Sequence, residues 1–272
     1  MHRKLLLASV SAIAFSGSAA LAADLPSRAP PPVYVPPAPI FTWTGIYVGG
    51  QVGYGWGGGG NSFSGFDPAT GVAFTANPGG TPNGVIGGAH VGYQYQIQQF
   101  VLGLEGSVDG SSLSSSGAAS FPDGTFLTTS SNADIQGSIR GKLGWAWDRL
   151  LIYATGGVAF GGFNTDVSVF NTGATNGGFP FYGSANVSDT RVGWTVGGGI
   201  EYAITNNWWV QVEYRYTDFG SLNTGFAAPG VGLVPVAPAF FNGSRSLTEN
   251  QVQVGFSYRF DLFSPPPVVA KY

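Results

Sequence analysis

The stretch "NNWWVQVEYRYTDFG", residues 206–220, decides the fold. From Trp208 to Tyr216 every second residue is large and apolar or aromatic. Strand side chains alternate between two faces, so Trp208, Val210, Val212, Tyr214 and Tyr216 share a face with no charge on it. Gln211, Glu213, Arg215 and Thr217 share the other. A soluble edge strand turns its charges to water and its apolar side to a core. The rest of the chain tells which side of this strand is wet.

Seven more runs alternate in the same way, giving strands at 45–56, 84–96, 100–110, 134–147, 150–162, 189–203, 208–219 and 250–260. In 100–110, Phe100, Leu102, Leu104 and Val108 oppose Glu105, Ser107 and Asp109. In 134–147, Ile135, Ile139, Leu143, Trp145 and Trp147 oppose Gln136, Ser138, Arg140 and Lys142. In 189–203, Val192, Trp194, Val196, Ile200 and Tyr202 oppose Arg191, Thr195 and Glu201; in 250–260, Val252, Val254, Phe256, Tyr258 and Phe260 oppose Gln251, Gln253, Ser257 and Arg259. The connections are sorted. "IQQ", "DR" and "ITNN" are very short, whereas 57–83, 111–133, 163–188 and 220–249 are long, rich in Gly, Ser, Asn, Thr and Pro, and expected as loops. Short turns at one end and long connections at the other are the habit of outer-membrane barrels.

Composition supports that reading. Only 9% of the 272 residues are charged, against 43% apolar, and a soluble domain usually has about a quarter of its residues charged. The uncharged faces are therefore expected to touch lipid, which requires a closed barrel so that no backbone edge stays unpaired. Tyr93, Tyr95, Phe100, Trp145, Trp147, Tyr202 and Trp208 cluster at strand ends as an interfacial girdle would. The expected fold is all-β, an eight-stranded antiparallel up-and-down transmembrane β-barrel of the outer-membrane type, over residues 42–261.

The N-terminus has Arg3 and Lys4, a short apolar run, then Ala20-Leu21-Ala22. This is the pattern of a secretory signal peptide with an A-x-A cleavage site, assigned to 1–22. A Pro-rich extended spacer follows at 23–41 and a Pro-rich tail at 262–272. No Cys is present, so disulfides and thiolate metal sites are excluded. The net charge of −3 and the absence of any basic run give nothing for nucleic acid to bind.

Eight strands leave a lumen only just wide enough for side chains to fill. Alternation sends Glu105, Asp109, Glu201, Glu213, Arg140, Lys142, Arg191, Arg215 and Arg259 into it. Charges in a narrow lumen are costly unless paired, so an ion-pair network that fills the barrel is expected. Interior glycines such as Gly49, Gly53, Gly88, Gly92 and Gly197 would make room for it. No catalytic residue, cofactor site or metal site is expected. "GYGWGG" (53–58) spells a dinucleotide-binding pattern, but loop rather than helix follows it. His90, the one His beyond the signal peptide, points into the lumen as a hydrogen-bonding filler.

"ADLPSRAPPP", "FTWTGIYVGGQVGYGWG", "LLIYATGGVAFGG", "VGWTVGGGIEYAITNNWWVQVEYRYTDFG" and "VGFSYRFD" resemble the alphaproteobacterial outer-membrane immunogenic proteins. These are RopB-like porin-family proteins with the OmpA-type eight-stranded barrel, and the resemblance covers 43–260. It implies an abundant surface protein without catalytic residues, with long loops extracellular, both termini periplasmic, and no peptidoglycan-binding domain after the barrel. It also implies Ala23 as a point of attachment to peptidoglycan, and Phe260 as the aromatic insertion signal read by the barrel-assembly machinery; Tyr272 is the other candidate for that signal. The expected partners are outer-membrane lipid and lipopolysaccharide, and the expected role is structural and interactive, with a small diffusion channel as the alternative. Oligomeric state is left open.

Overall fold

The structure, a computed structural model, describes residues 41–58, 61–67, 71–121, 124–172, 180–229 and 238–260. The signal peptide, Ala23, nearly all of the Pro-rich spacer and the C-terminal tail lie outside these residues. Ten strands follow one another: β1 (Gly45–Gly58), β2 (Asn61–Asp67), β3 (Val72–Ala76), β4 (Asn83–Ile97), β5 (Phe100–Ser120), β6 (Thr125–Trp147), β7 (Leu150–Asn171), β8 (Phe181–Ala203), β9 (Trp208–Ala228) and β10 (Ala239–Phe260). Eight of them close the barrel in the order β1-β4-β5-β6-β7-β8-β9-β10, with β10 pairing back onto β1 from Ile46↔Phe260 to Gly58↔Thr248. β2 then takes over on β10, from Arg245↔Asn61 to Phe240↔Phe66, and turns back through β3.

The short-turn end follows the sequence closely. Gln98 and Asp148 take positive φ (55° and 53°), the left-handed backbone that two-residue hairpins between right-twisted strands require. The other end departs from expectation. Most of the stretches expected as loops at 57–83, 111–133, 163–188 and 220–249 are strand, and β5 to β10 run 21–23 residues. That is about twice the roughly ten residues a tilted strand needs to cross a bilayer. The physical reason is that Ser, Thr and Asn between spaced apolar residues still satisfy a two-residue period. Leu127, Val167, Val169, Phe181 and Phe241 all point inward from this tower.

Within the tower the wall divides. β8 pairs with β9 only from Ala203↔Trp209 to Trp194↔Asp218, and β4 pairs with β5 only as far as Asn83↔Ser114. β9 bends at Gly220 (φ 80°), where Asp218 Oδ1 accepts the Gly220 N–H at 2.7 Å. Two sheets result, the long arms of β5-β6-β7-β8 facing those of β9-β10-β2-β3. Phe63, Phe74, Phe181 and Phe241 fill the space between them, with ring centroids 5.5–5.9 Å apart where they meet Phe241. The barrel thus grades into a two-layer sandwich.

Below the tower the outward positions are predominantly apolar or small. Val52, Leu104, Ile139, Val192, Val212 and Val254 are all half or more exposed, and Trp145, Tyr202 and Trp208 ring the short-turn end. A face this apolar, open along a whole barrel, is stable only in a medium that is itself apolar.

Candidate functional site: a lumen filled in layers

The inward side chains stack in chemically distinct layers from the short-turn end upward. The floor is aromatic. Trp43 and Trp209 are fully buried edge to face (5.7 Å), with Tyr47 5.2 Å from Trp209 and Leu151 and Val101 beside them. The chain segment before β1 builds this floor: Trp43 Nε1 donates to Asp148 O (3.2 Å), and the Trp43 N–H donates to Gln96 Oε1 (2.8 Å). Phe41 lies between the guanidiniums of Arg149 and Arg259, 5.3 and 5.6 Å from its ring. Phe41, the last residue assigned to the spacer, is packed against the barrel floor.

Above the floor lies the ionic layer. Arg140, from β6, reaches across the lumen and donates to both Glu105 of β5 and Glu213 of β9. Lys142, one strand step away on the same face, sits 2.7 Å from Glu201 and 3.2 Å from Glu105. Arg215 stands 2.8 Å from Glu213 and 3.5 Å from Asp109. Tyr47 donates to Glu105 (2.7 Å) and Tyr153 donates to Glu213 (2.9 Å), so the carboxylates also receive neutral donors. Every one of these side chains is buried. The arrangement meets the main condition under which buried charge is tolerable, since each ion has opposite charge within reach, although Glu201 Oε2 receives no donor.

The next layer is amide and imidazole. Gln51 Nε2 donates to Asp109 Oδ1 (2.6 Å), and its Oε1 meets His90 Nδ1. His90 Nε2 lies 2.8 Å from Ser257 Oγ. Gln136 donates to Glu249 (2.7 Å), Gln251 Nε2 to Glu249 (2.8 Å), and Gln253 to Gln251 (2.9 Å). Space for these groups comes from glycine: a Cβ on Gly49 would strike the His90 ring, and one on Gly92 would meet Tyr47 at 2.5 Å. The interior glycines at these two positions thus make room for an imidazole and a phenol rather than for Arg and Glu chains.

A small apolar layer closes over the amides, built from Ile86, Leu113 and Ala133 on one side and Ala159, Phe219, Leu222 and Leu247 on the other, with Phe163 between them. The phenylalanine core of the tower lies beyond.

Of the nine charged residues expected in the lumen network, seven come together: Glu105, Asp109, Arg140, Lys142, Glu201, Glu213 and Arg215. Two do not. Arg191 pairs with Asp189 at 2.8 Å and is partly exposed, because β8 has by then left β9 and the wall beside it is open. Arg259 sits too close to the short-turn end to reach an acid of the network; it donates to Thr42 O and to Asn206 O (2.7 Å) instead. The expected network also omitted Glu249, which is buried. The signal was present, since the alternation of 250–260 continues back through Glu249 on the side of Gln251 and Gln253. "GYGWGG" lies within β1, with Tyr54 and Trp56 facing out, and no helix follows it. Phe260, the expected insertion signal, ends β10 on the outer face with its ring 5.2 Å from Tyr258.

Known proteins bear out the barrel. A family described as "Outer membrane protein beta-barrel domain" matches residues 8–260. The chain is 33% identical over 260 residues to the 31 kDa outer-membrane immunogenic protein of Brucella melitensis biotype 1, covering 95% of this chain and 100% of that one. It is 29% identical over 227 residues to the 22 kDa outer membrane protein of Rhizobium leguminosarum bv. viciae, covering 83% of this chain and 82% of that one. Among solved structures, the outer membrane protein OprG of Pseudomonas aeruginosa is 12% identical with a TM-score of 0.41, covering 80% of this chain and 97% of that one. That last likeness is too loose to bear on fold or function.

Proposed function

From the premise that this chain belongs to the outer membrane protein beta-barrel domain family, and so is an outer-membrane protein, we propose that it is a structural, non-conducting barrel. Its role is to strengthen the envelope and to present a surface for contact. The single observation that carries this reading is the closed ionic layer, in which Arg140 bridges Glu105 and Glu213 across the lumen. A diffusion channel needs a wet path. Here the lumen is occupied in turn by an aromatic floor, ion pairs, amides and an apolar layer. Liposome swelling tests the proposal: vesicles bearing the barrel should swell in small sugars no faster than protein-free vesicles. Rapid swelling that slows with solute size would establish the channel instead.

In the same reading, the short turns and both termini face the periplasm and the tower stands at the cell surface, where lipopolysaccharide is its first neighbour. The tower's outer face suits that setting, since Thr128, Ser130, Ser184, Asn186 and Asn242 break up the apolar belt there, leaving only scattered aromatics such as Phe126 and Tyr182. Phe260, ending β10 on the outer face, serves as the signal for the barrel-assembly machinery. Ala23 tethers the barrel to peptidoglycan through the Pro-rich spacer, which can extend by roughly 3 Å per residue. The Trp43–Phe41 floor supports this role, because a pull on the spacer would meet a packed anchor. Muramidase digests should release an N-terminal peptide that begins at Ala23 and carries a peptidoglycan fragment. A free amine on Ala23 in every copy would contradict the tether.

A further inference from the structure

Between the small apolar layer and the phenylalanine core, the tower holds two cavities with room for the centres of water-sized molecules of about 40 and 50 Å³. They share Ser131, Thr165 and Arg245 as walls. Alternation along β10 turns Arg245 inward, in step with buried Leu247 and Phe241, so its side chain is only partly exposed. Every other Arg or Lys of the described residues has an acid, a carbonyl or an aromatic ring in contact. Arg245 alone among them has none. Glu249 lines the lower cavity, but Gln136 and Gln251 already hold it, and no carboxylate lines the upper one. Burial by itself pushes the Arg245 guanidinium below its ordinary value, with no neighbouring acid to offset it. An unpaired, partly desolvated guanidinium beside cavities walled largely by apolar side chains such as Leu113, Phe163, Phe63 and Val167 is unfavourable unless an anion joins it.

The walls supply what an anion needs besides charge. Ser131 Oγ and Thr165 Oγ1 lie 3.1 Å apart and bond to each other, which leaves one of the two hydroxyls able to donate into the cavity. The guanidinium fork matches two oxygens of a tetrahedral oxyanion. About 10–15 Å³ of such room holds one water, so either cavity takes a few waters or one small ion but no sugar ring.

We propose that these cavities bind a small inorganic oxyanion of the phosphate or sulfate class, clasped by the Arg245 guanidinium and by the Ser131 and Thr165 hydroxyls. The site is independent of whether the barrel conducts. It gives the tower an anion-dependent rigidity, because the ion ties β10 to β6 and β7 across the two sheets. The same chemistry could come from free phosphate or from a phosphorylated lipid headgroup, and the size of the cavities selects the free ion.

The test is equilibrium dialysis of the whole purified barrel in phosphate-free detergent against radiolabelled inorganic phosphate at fixed ionic strength. One saturable site per chain is expected, with inorganic sulfate competing and glucosamine 1-phosphate not competing. Arg245→Gln should weaken phosphate at least tenfold, and Arg245→Lys, which keeps the charge but loses the fork, should weaken it less. Ser131→Ala, the mildest change, keeps the tower's packing and should still weaken binding severalfold, so the proposal stands testable even where Arg245→Gln misfolds. Binding that never saturates, or is equal in wild type and in folded Arg245 variants, would overturn the site. Competition by glucosamine 1-phosphate as strong as by phosphate would overturn the assignment to a small free ion.

Discussion

At the scale of single residues, Arg140 holds the ionic layer together. It lies between two carboxylates that have no other strong cation in common, and all three side chains are buried. Removing one partner from such a group leaves uncompensated charge, which typically costs about 3–5 kcal/mol. Arg140→Met should therefore lower the unfolding free energy by about that amount, measured by urea titration of the barrel in detergent. Adding Glu105→Gln and Glu213→Gln to the same chain should restore much of the loss, because the remaining charges then balance as Lys142 with Glu201 and Arg215 with Asp109. A loss below about 1 kcal/mol for Arg140→Met would mean the layer contributes no more than a surface pair does. Strand period alone made Arg140, Lys142, Glu105 and Glu213 legible, since a narrow barrel sends every second residue to one place. Arg191 and Arg259 stand outside the network for a different reason. Period gives the face of a residue but not its height along the barrel, and both lie where the lumen has opened or ended.

At the scale of the element, β9 divides medium from lumen residue by residue. Val212 is more than half exposed on the outer face, while Gln211 beside it is buried in the lumen. An Arg on the lipid face near mid-membrane costs about 2–4 kcal/mol, whereas the lumen is already polar. Val212→Arg should therefore reduce the folded, heat-modifiable fraction after refolding into vesicles, and Gln211→Arg should reduce it less. Equal losses from the two would contradict the facing. The lower part of each strand was readable because aromatic and β-branched residues mark its outer face. The upper parts of β5 to β10 were not. Their outward residues are largely Ser, Thr and Asn with scattered aromatics such as Phe126, Phe170, Tyr182 and Phe240, a mix that a single sequence does not distinguish from loop, and what holds them as strand is a core made of residues far apart in the chain. Phe63, Phe181 and Phe241 come from three separate connections and meet only once the tower has formed.

At the scale of the molecule, the chain is a barrel turned inside out below and a conventional sandwich above. Its lower part faces outward with Val, Leu, Ile and aromatic side chains and inward with ions. Its tower faces outward with hydroxyls and amides interspersed with exposed aromatics such as Phe126, Tyr182 and Phe240, and inward with phenylalanine. The crossover falls near the small apolar layer of Ala159, Phe219, Leu222 and Leu247, where the surrounding medium is expected to change from lipid to water. The closed lower barrel was visible in the sorting of short and long connections. The second closure, by the tower, rests on long-range pairing that only the structure shows. Central to all of this is a lumen sealed by its own side chains. Single-channel recording of the wild-type barrel in a planar bilayer tests that claim most directly. A sealed lumen gives a silent membrane with no steady current steps. Steady, voltage-independent steps that grow when Arg140→Ala and Glu213→Ala are introduced together would contradict it.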